Sequence, residues 1–141
     1  MANEPPDRVL DEPLLRAVAQ RLGRLSHVET VSVFPREKPE SVVATLDDQY
    51  FPNALQVATL ELRAYTDGAF FVTYREAWED RTWMCRWDRH ENPHNRRDHF
   101  HRPPDAGTSD AVDANYPADF FVVLDTVLDD VDERLGAVWD T

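Results

Sequence analysis

The chain has 141 residues and a formal net charge of −12, with 42% hydrophobic and 11% aromatic residues. A chain of that length buries roughly 68% of its unfolded surface, so a single domain, 1–141, can build its own core. One cysteine, Cys85, excludes an internal disulfide and any multi-cysteine zinc site, and no stretch approaches the ~18 apolar residues of a membrane span.

Residues 1–10 read as a flexible tail without the basic and apolar regions of a signal peptide, so the expected compartment is the cytoplasm. A helix is predicted over 12–25. Asp11 offers an N-cap, Pro13 sits in the first turn where its missing N–H costs nothing, and Leu14, Val18, Leu22 and Leu25 fall on one stripe. Val28 to Phe34 alternates as a strand, and a short strand at Val42–Leu46 interrupts a proline-bearing stretch, 35–55.

Gln56 to Ala77 reads as a hairpin turning at Thr66-Asp67-Gly68. A two-residue loop would mix the faces. A three-residue loop with Gly68 left-handed aligns Leu60, Leu62 and Ala64 with Phe70, Val72 and Tyr74, and collects Glu61, Arg63, Thr73 and Arg75 opposite them. A further strand, Thr82–Asp88, places Trp83, Cys85 and Trp87 on the core face and Met84, Arg86 and Asp88 on the other. Residues 103–115 read as a loop rich in Pro, Gly and Asp. A long helix from Pro117 to about Val138 follows, striped with Phe120, Leu124, Val127, Val131, Leu135 and Val138. The expected class is α+β: an antiparallel sheet of about 4–5 strands flanked by an N-terminal and a long C-terminal helix.

Arg fills fourteen of the fifteen basic positions, Lys38 is the only lysine, and Asp outnumbers Glu. This is the composition expected of a high-salt cytoplasm, such as that of a halophilic archaeon, where net charge keeps proteins soluble. The melting temperature is then expected to rise from dilute buffer to molar KCl, as screening shortens to ~3 Å at 1 M. A flat dependence in a thermal scan would contradict the assignment.

Charge is also uneven. Arg81 to Arg102 holds six arginines against Asp88, Glu91 and Asp98, together with four of the five histidines (His90, His94, His99 and His101). If Asp98–Arg102 is extended, His99 and His101 share one face with Phe100 opposite. Two imidazoles beside arginines suit metal-independent RNA cleavage, with one taking the proton from the 2′-hydroxyl and the other protonating the leaving oxygen. His99 and His101 are the candidate acid–base pair, with His94 as a third member. Arg86 and Arg97 are the phosphate clamp, and Arg89 and Asp88 are further substrate contacts. No cofactor is expected. A metal held by His99-x-His101, completed by Cys85, His90 or His94, ranks second, because the spacing fits no standard zinc frame and nearby arginines repel a cation. His27 and His90 read as solvated or paired with carboxylates.

The order of features resembles the TumE-type toxins of prokaryotic toxin–antitoxin systems. It runs through a hairpin turn at Asp67-Gly68, a strand ending in Glu76, then Arg86-Trp87-Asp88, Pro93-His94 and His99-Phe100-His101. The resemblance covers about residues 55–105. It implies a growth-inhibiting protein that acts on RNA and is held silent by a cognate antitoxin. The alternative is a non-catalytic RNA- or protein-binding module with a basic His/Arg face.

Overall fold

A computed structural model describes residues 8–91 and 96–140, with side chains at 8–90 and 98–140. Helix α1 (Glu12–Leu22) is followed by β1 (Val28–Val33), β2 (Val42–Leu46), β3 (Leu55–Ala64), β4 (Phe70–Trp78) and β5 (Thr82–Glu91). Strands β6 (Arg96–His101) and β7 (Ala111–Asp113) and helix α2 (Phe120–Ala137) complete the chain. The seven strands form one antiparallel meander in which each pairs only with its neighbours in sequence, in the order β1 to β7.

The α+β class is as expected, but the sheet has seven strands rather than 4–5. Strand β7 lies inside the segment read as loop. It is three residues long and sits at the sheet edge, too short to show an alternating pattern. The hairpin register matches the expectation: Leu60 faces Tyr74, Leu62 faces Val72 and Ala64 faces Phe70. Tyr65 and Ala69 close a three-residue loop, with Gly68 at φ 95°.

Asp11 caps α1 by accepting from the Leu14 amide at 3.2 Å. The buried stripe is Leu15, Val18, Ala19 and Leu22, with Leu14 and Leu25 only partly buried at its margins, and the helix ends before Leu25. The stripe is thus rotated by about one position from the expected one. Residues 8–10 of the expected tail are held against the hairpin: Val9 accepts from the Thr66 amide, Leu10 bridges Tyr65, and the Asp11 amide donates to Ala64. Residues 1–7 lie outside the described residues.

Helix α2 starts three residues later than Pro117 because Asp119 supplies its cap, accepting from the Phe121 amide at 2.9 Å. Phe120, Val123, Leu124, Val127 and Val131 face the core. Both helices join one apolar cluster with Val42, Ala44, Leu60, Leu62, Val72, Tyr74, Cys85 and Trp87. Period-two alternation therefore sends Glu61, Arg63, Thr73, Arg75, Arg86 and His99 to the opposite face of the sheet, which no helix covers.

Candidate functional site on the uncovered sheet face

The functional cluster follows from the register of three strands. Asp88 on β5 pairs with Phe71 on β4 and with His99 on β6, and His99 pairs in turn with Asp113 on β7. One step along, Arg86 pairs with Thr73 and with His101. His90 lies two residues beyond Asp88 on the same face, edge-on to Phe71. Asp88, Arg86, His90, His99 and His101 thus converge, as the shared face of β5 and β6 requires.

Asp88 is the centre and has no exposed surface. Its Oδ2 accepts from Arg86 Nε at 3.1 Å and lies 2.8 Å from His101 Nε2. Its Oδ1 lies 3.4 Å from His90 Nε2 and 3.7 Å from His99 Nδ1, yet it is the single buried side-chain polar atom among the described residues with no hydrogen-bond partner. An unsatisfied buried acceptor costs about 1–3 kcal/mol, and more when charged, so its retention calls for an explanation. On the far side of His99, Nε2 faces Asp113 at 3.9 Å. Burial lowers the His90 pKa below the ordinary imidazole value; Asp88 opposes the shift, while His99, Arg8 and Arg86 reinforce it.

The expected acid–base pair is only half accessible. His101 is buried, with Nε2 at Asp88 and Nδ1 3.2 Å from the Gly107 carbonyl, because the 103–110 segment folds over it. Both ring nitrogens are thus directed at protein groups. His99 and His90 are the reachable imidazoles, with side chains 22% and 45% exposed and ring centroids 6.0 Å apart. Asp88, expected as a substrate contact, is buried at the centre of the cluster.

Arg89 is displaced furthest from its expected role. Alternation turns it to the helix side, where it is 2% exposed and bidentate to Asp98 at 2.7 and 3.0 Å, and donates to the Tyr116 and Pro117 carbonyls. It ties β6 to the segment entering α2. Arg86 lies on the uncovered face, where Nε donates to Asp88 and Nη2 stands 3.3 Å from His101 Nε2. Arg97 pairs with His90 in the strand register, while its side chain and His94 lie outside the described residues. His27 stands 3.7 Å from Asp132, far in sequence from the cluster.

Cys85 points the other way. It lines a cavity of about 360 Å³ beneath α2, with Tyr74, Trp83, Trp87, Phe100 and Arg134. Burial, reinforced by Asp130 and Glu76, pushes its thiol up to about 12, which disfavours the free thiolate near neutral pH. Trp87 is core, 2% exposed, as expected.

A small meander sheet with two helices on one face and a histidine–carboxylate–arginine cluster on the other defines an α+β protein with an open-faced polar site. The sequence matches the family described as Toxin TumE over residues 15–135, well beyond the span of the resemblance first read, and the chain belongs to that family. It is accordingly a toxin component of a toxin–antitoxin system, a role that implies a cognate antitoxin partner. No curated protein and no solved structure gives a significant match. No helix among the described residues is long and apolar enough to cross a membrane.

Proposed function

We propose that this toxin is a ribonuclease and that the Asp88-centred cluster is where it meets the RNA backbone. The observation that carries the reading is the convergence of two reachable imidazoles, His90 and His99, with the partly exposed guanidinium of Arg86 around one buried carboxylate. An Arg fork offers the geometry that holds a phosphate, and histidine is the side chain suited to chemistry at the 2′-hydroxyl near neutral pH. Arg97, opposite His90, is the proposed second phosphate contact, and His94 a proposed further member of the site. Arg75, exposed on β4 of the same face, is a further cation beside the cluster, whereas Arg63 on β3 is paired with Glu61 and Glu40. If the cytoplasm is the high-salt one suggested by the composition, close bidentate contacts matter more than a diffuse field, because counterion release erodes nucleic-acid affinity.

The test is inducible expression and incubation of the purified protein with total RNA, with and without chelator. Wild type is expected to slow growth and cut RNA. His99→Ala and His90→Ala are each expected to lower cleavage by about 100-fold or more, and Arg86→Ala to weaken it, while His27→Ala leaves it unchanged. Cleavage that persists in EDTA supports the acid–base scheme; cleavage that needs added metal makes the histidines ligands. If wild type binds RNA but never cuts it, the cluster is a binding face. If it neither slows growth nor touches RNA, the reading is wrong.

A further inference from the structure

We infer that Asp88, His90 and His99 form a binding site for one divalent transition-metal ion, zinc by preference, on the uncovered face of the sheet. The three donor atoms, Asp88 Oδ1, His90 Nε2 and His99 Nδ1, lie within 4.8 Å of one another. A tetrahedral ion at about 2.0–2.1 Å from each ligand spaces them about 3.3 Å apart. The observed 3.4 Å from Oδ1 to His90 and 3.7 Å to His99 lie within a few tenths of an ångström of that spacing, and the third edge, His90 Nε2 to His99 Nδ1, is within 4.8 Å. No such economy holds for the set weighed from sequence: His101 is occupied by Asp88 Oδ2 and the Gly107 carbonyl, and Cys85 faces the opposite side.

The second, independent observation is the lone oxygen. Asp88 divides its carboxylate: Oδ2 takes Arg86 and His101, and Oδ1 is left buried, without a donor, aimed between the two imidazoles. A cation in that gap would satisfy it. The surroundings are those of a supported ligand set. Arg86 and His101 fix the carboxylate from behind through its other oxygen, and the Nε2 of His99 faces the Asp113 carboxylate once Nδ1 is the ligand. Arg86 adds repulsion, which Asp88 and Asp113 offset in charge. Among the described residues the set supplies three ligands, which leaves a fourth position for water or substrate, the layout of a catalytic rather than a structural zinc site.

Two imidazoles with one carboxylate select a borderline ion over magnesium or calcium, which prefer oxygen alone. The role of that ion in RNA chemistry rests on the ribonuclease reading, whereas the site itself does not, so the two are measured apart. The full chain is purified without a histidine tag, stripped with chelator and titrated with zinc chloride by calorimetry, without RNA. One equivalent is expected to bind, undisturbed by excess magnesium, and cobalt(II) in its place should show the intense visible bands of a four-coordinate ion. His90→Ala and His99→Ala should each weaken binding by about 100-fold or more, beyond what loss of an outer partner does. His27→Ala should match wild type. Asp88→Asn sits in a buried position and can fail to fold, so half-exposed His90 carries the test. The site is refuted if wild type takes up no zinc, or if the His90 and His99 variants bind as wild type does. Zinc uptake without RNA cleavage would sustain the site and overturn only the ribonuclease.

Discussion

Replacing Arg134 with leucine is expected to lower stability by about 3 kcal/mol, which for a chain of this size is a fall in melting temperature of roughly 10 °C. The partner is Glu76, which has no exposed surface and sits on β4 against α2. Arg134 donates to it bidentately at 2.9 and 2.7 Å, while Tyr74 Oη–H and Trp78 Nε1–H donate at 2.7 and 2.9 Å. The guanidinium also stacks 3.8 Å over Trp83. Leucine removes two charge-assisted bonds and strands a carboxylate that keeps only its two neutral donors. Adding Glu76→Gln to Arg134→Leu should restore part of the loss by removing the orphaned charge. Thermal unfolding of the two variants reads both effects; a loss under 1 kcal/mol in the single variant would mean that the pair does not clamp the helix.

Asp98→Ala is expected to be at least as costly, again about 3 kcal/mol or more, because it removes the counterion of Arg89 in the core. Asp98 also accepts from the Tyr116 amide at 2.7 Å, so one carboxylate holds β5, β6 and the approach to α2 together. Arg89 would be left with two backbone carbonyls and the face of Phe70, 5.3 Å away. His99 is its neighbour in sequence, so under the proposed ribonuclease reading the variant should lose RNA cleavage as well as stability. Asp98→Asn keeps the shape and removes the charge, which separates the two contributions. Denaturant unfolding with unchanged midpoints for both variants would refute the assignment.

Strand alternation made much of this architecture readable in advance. Hydrophobic matching across Gly68 gave the correct hairpin register, because only one loop length keeps Leu60 and Leu62 on the face of Val72 and Tyr74. The same alternation put His99 and His101 on one face and Trp87 in the core. Arg89 was misplaced because it was grouped by its position in a basic segment; parity with Trp87 already pointed it inward. The central role of Asp88 depended on cross-strand pairing with His99, which residues 92–95 separate and no local pattern specifies. The burial of His101 comes from Gly107, contributed by a segment whose fold-back is tertiary and leaves no periodic trace.

The strictly sequential order of the sheet has a consequence for how the toxin comes into being. Each strand closes onto the one just made, so the pairings need only short chain closures and can zip up as synthesis proceeds from the N-terminus. Of these elements α2 leaves the ribosome last, and it brings the remaining cover for the apolar face and the cation for Glu76. A nascent chain that has completed β6 already carries Asp88, His90 and His99, yet on a sheet whose apolar side has only α1 to cover it. The polar face is thus assembled before the core that backs it is complete.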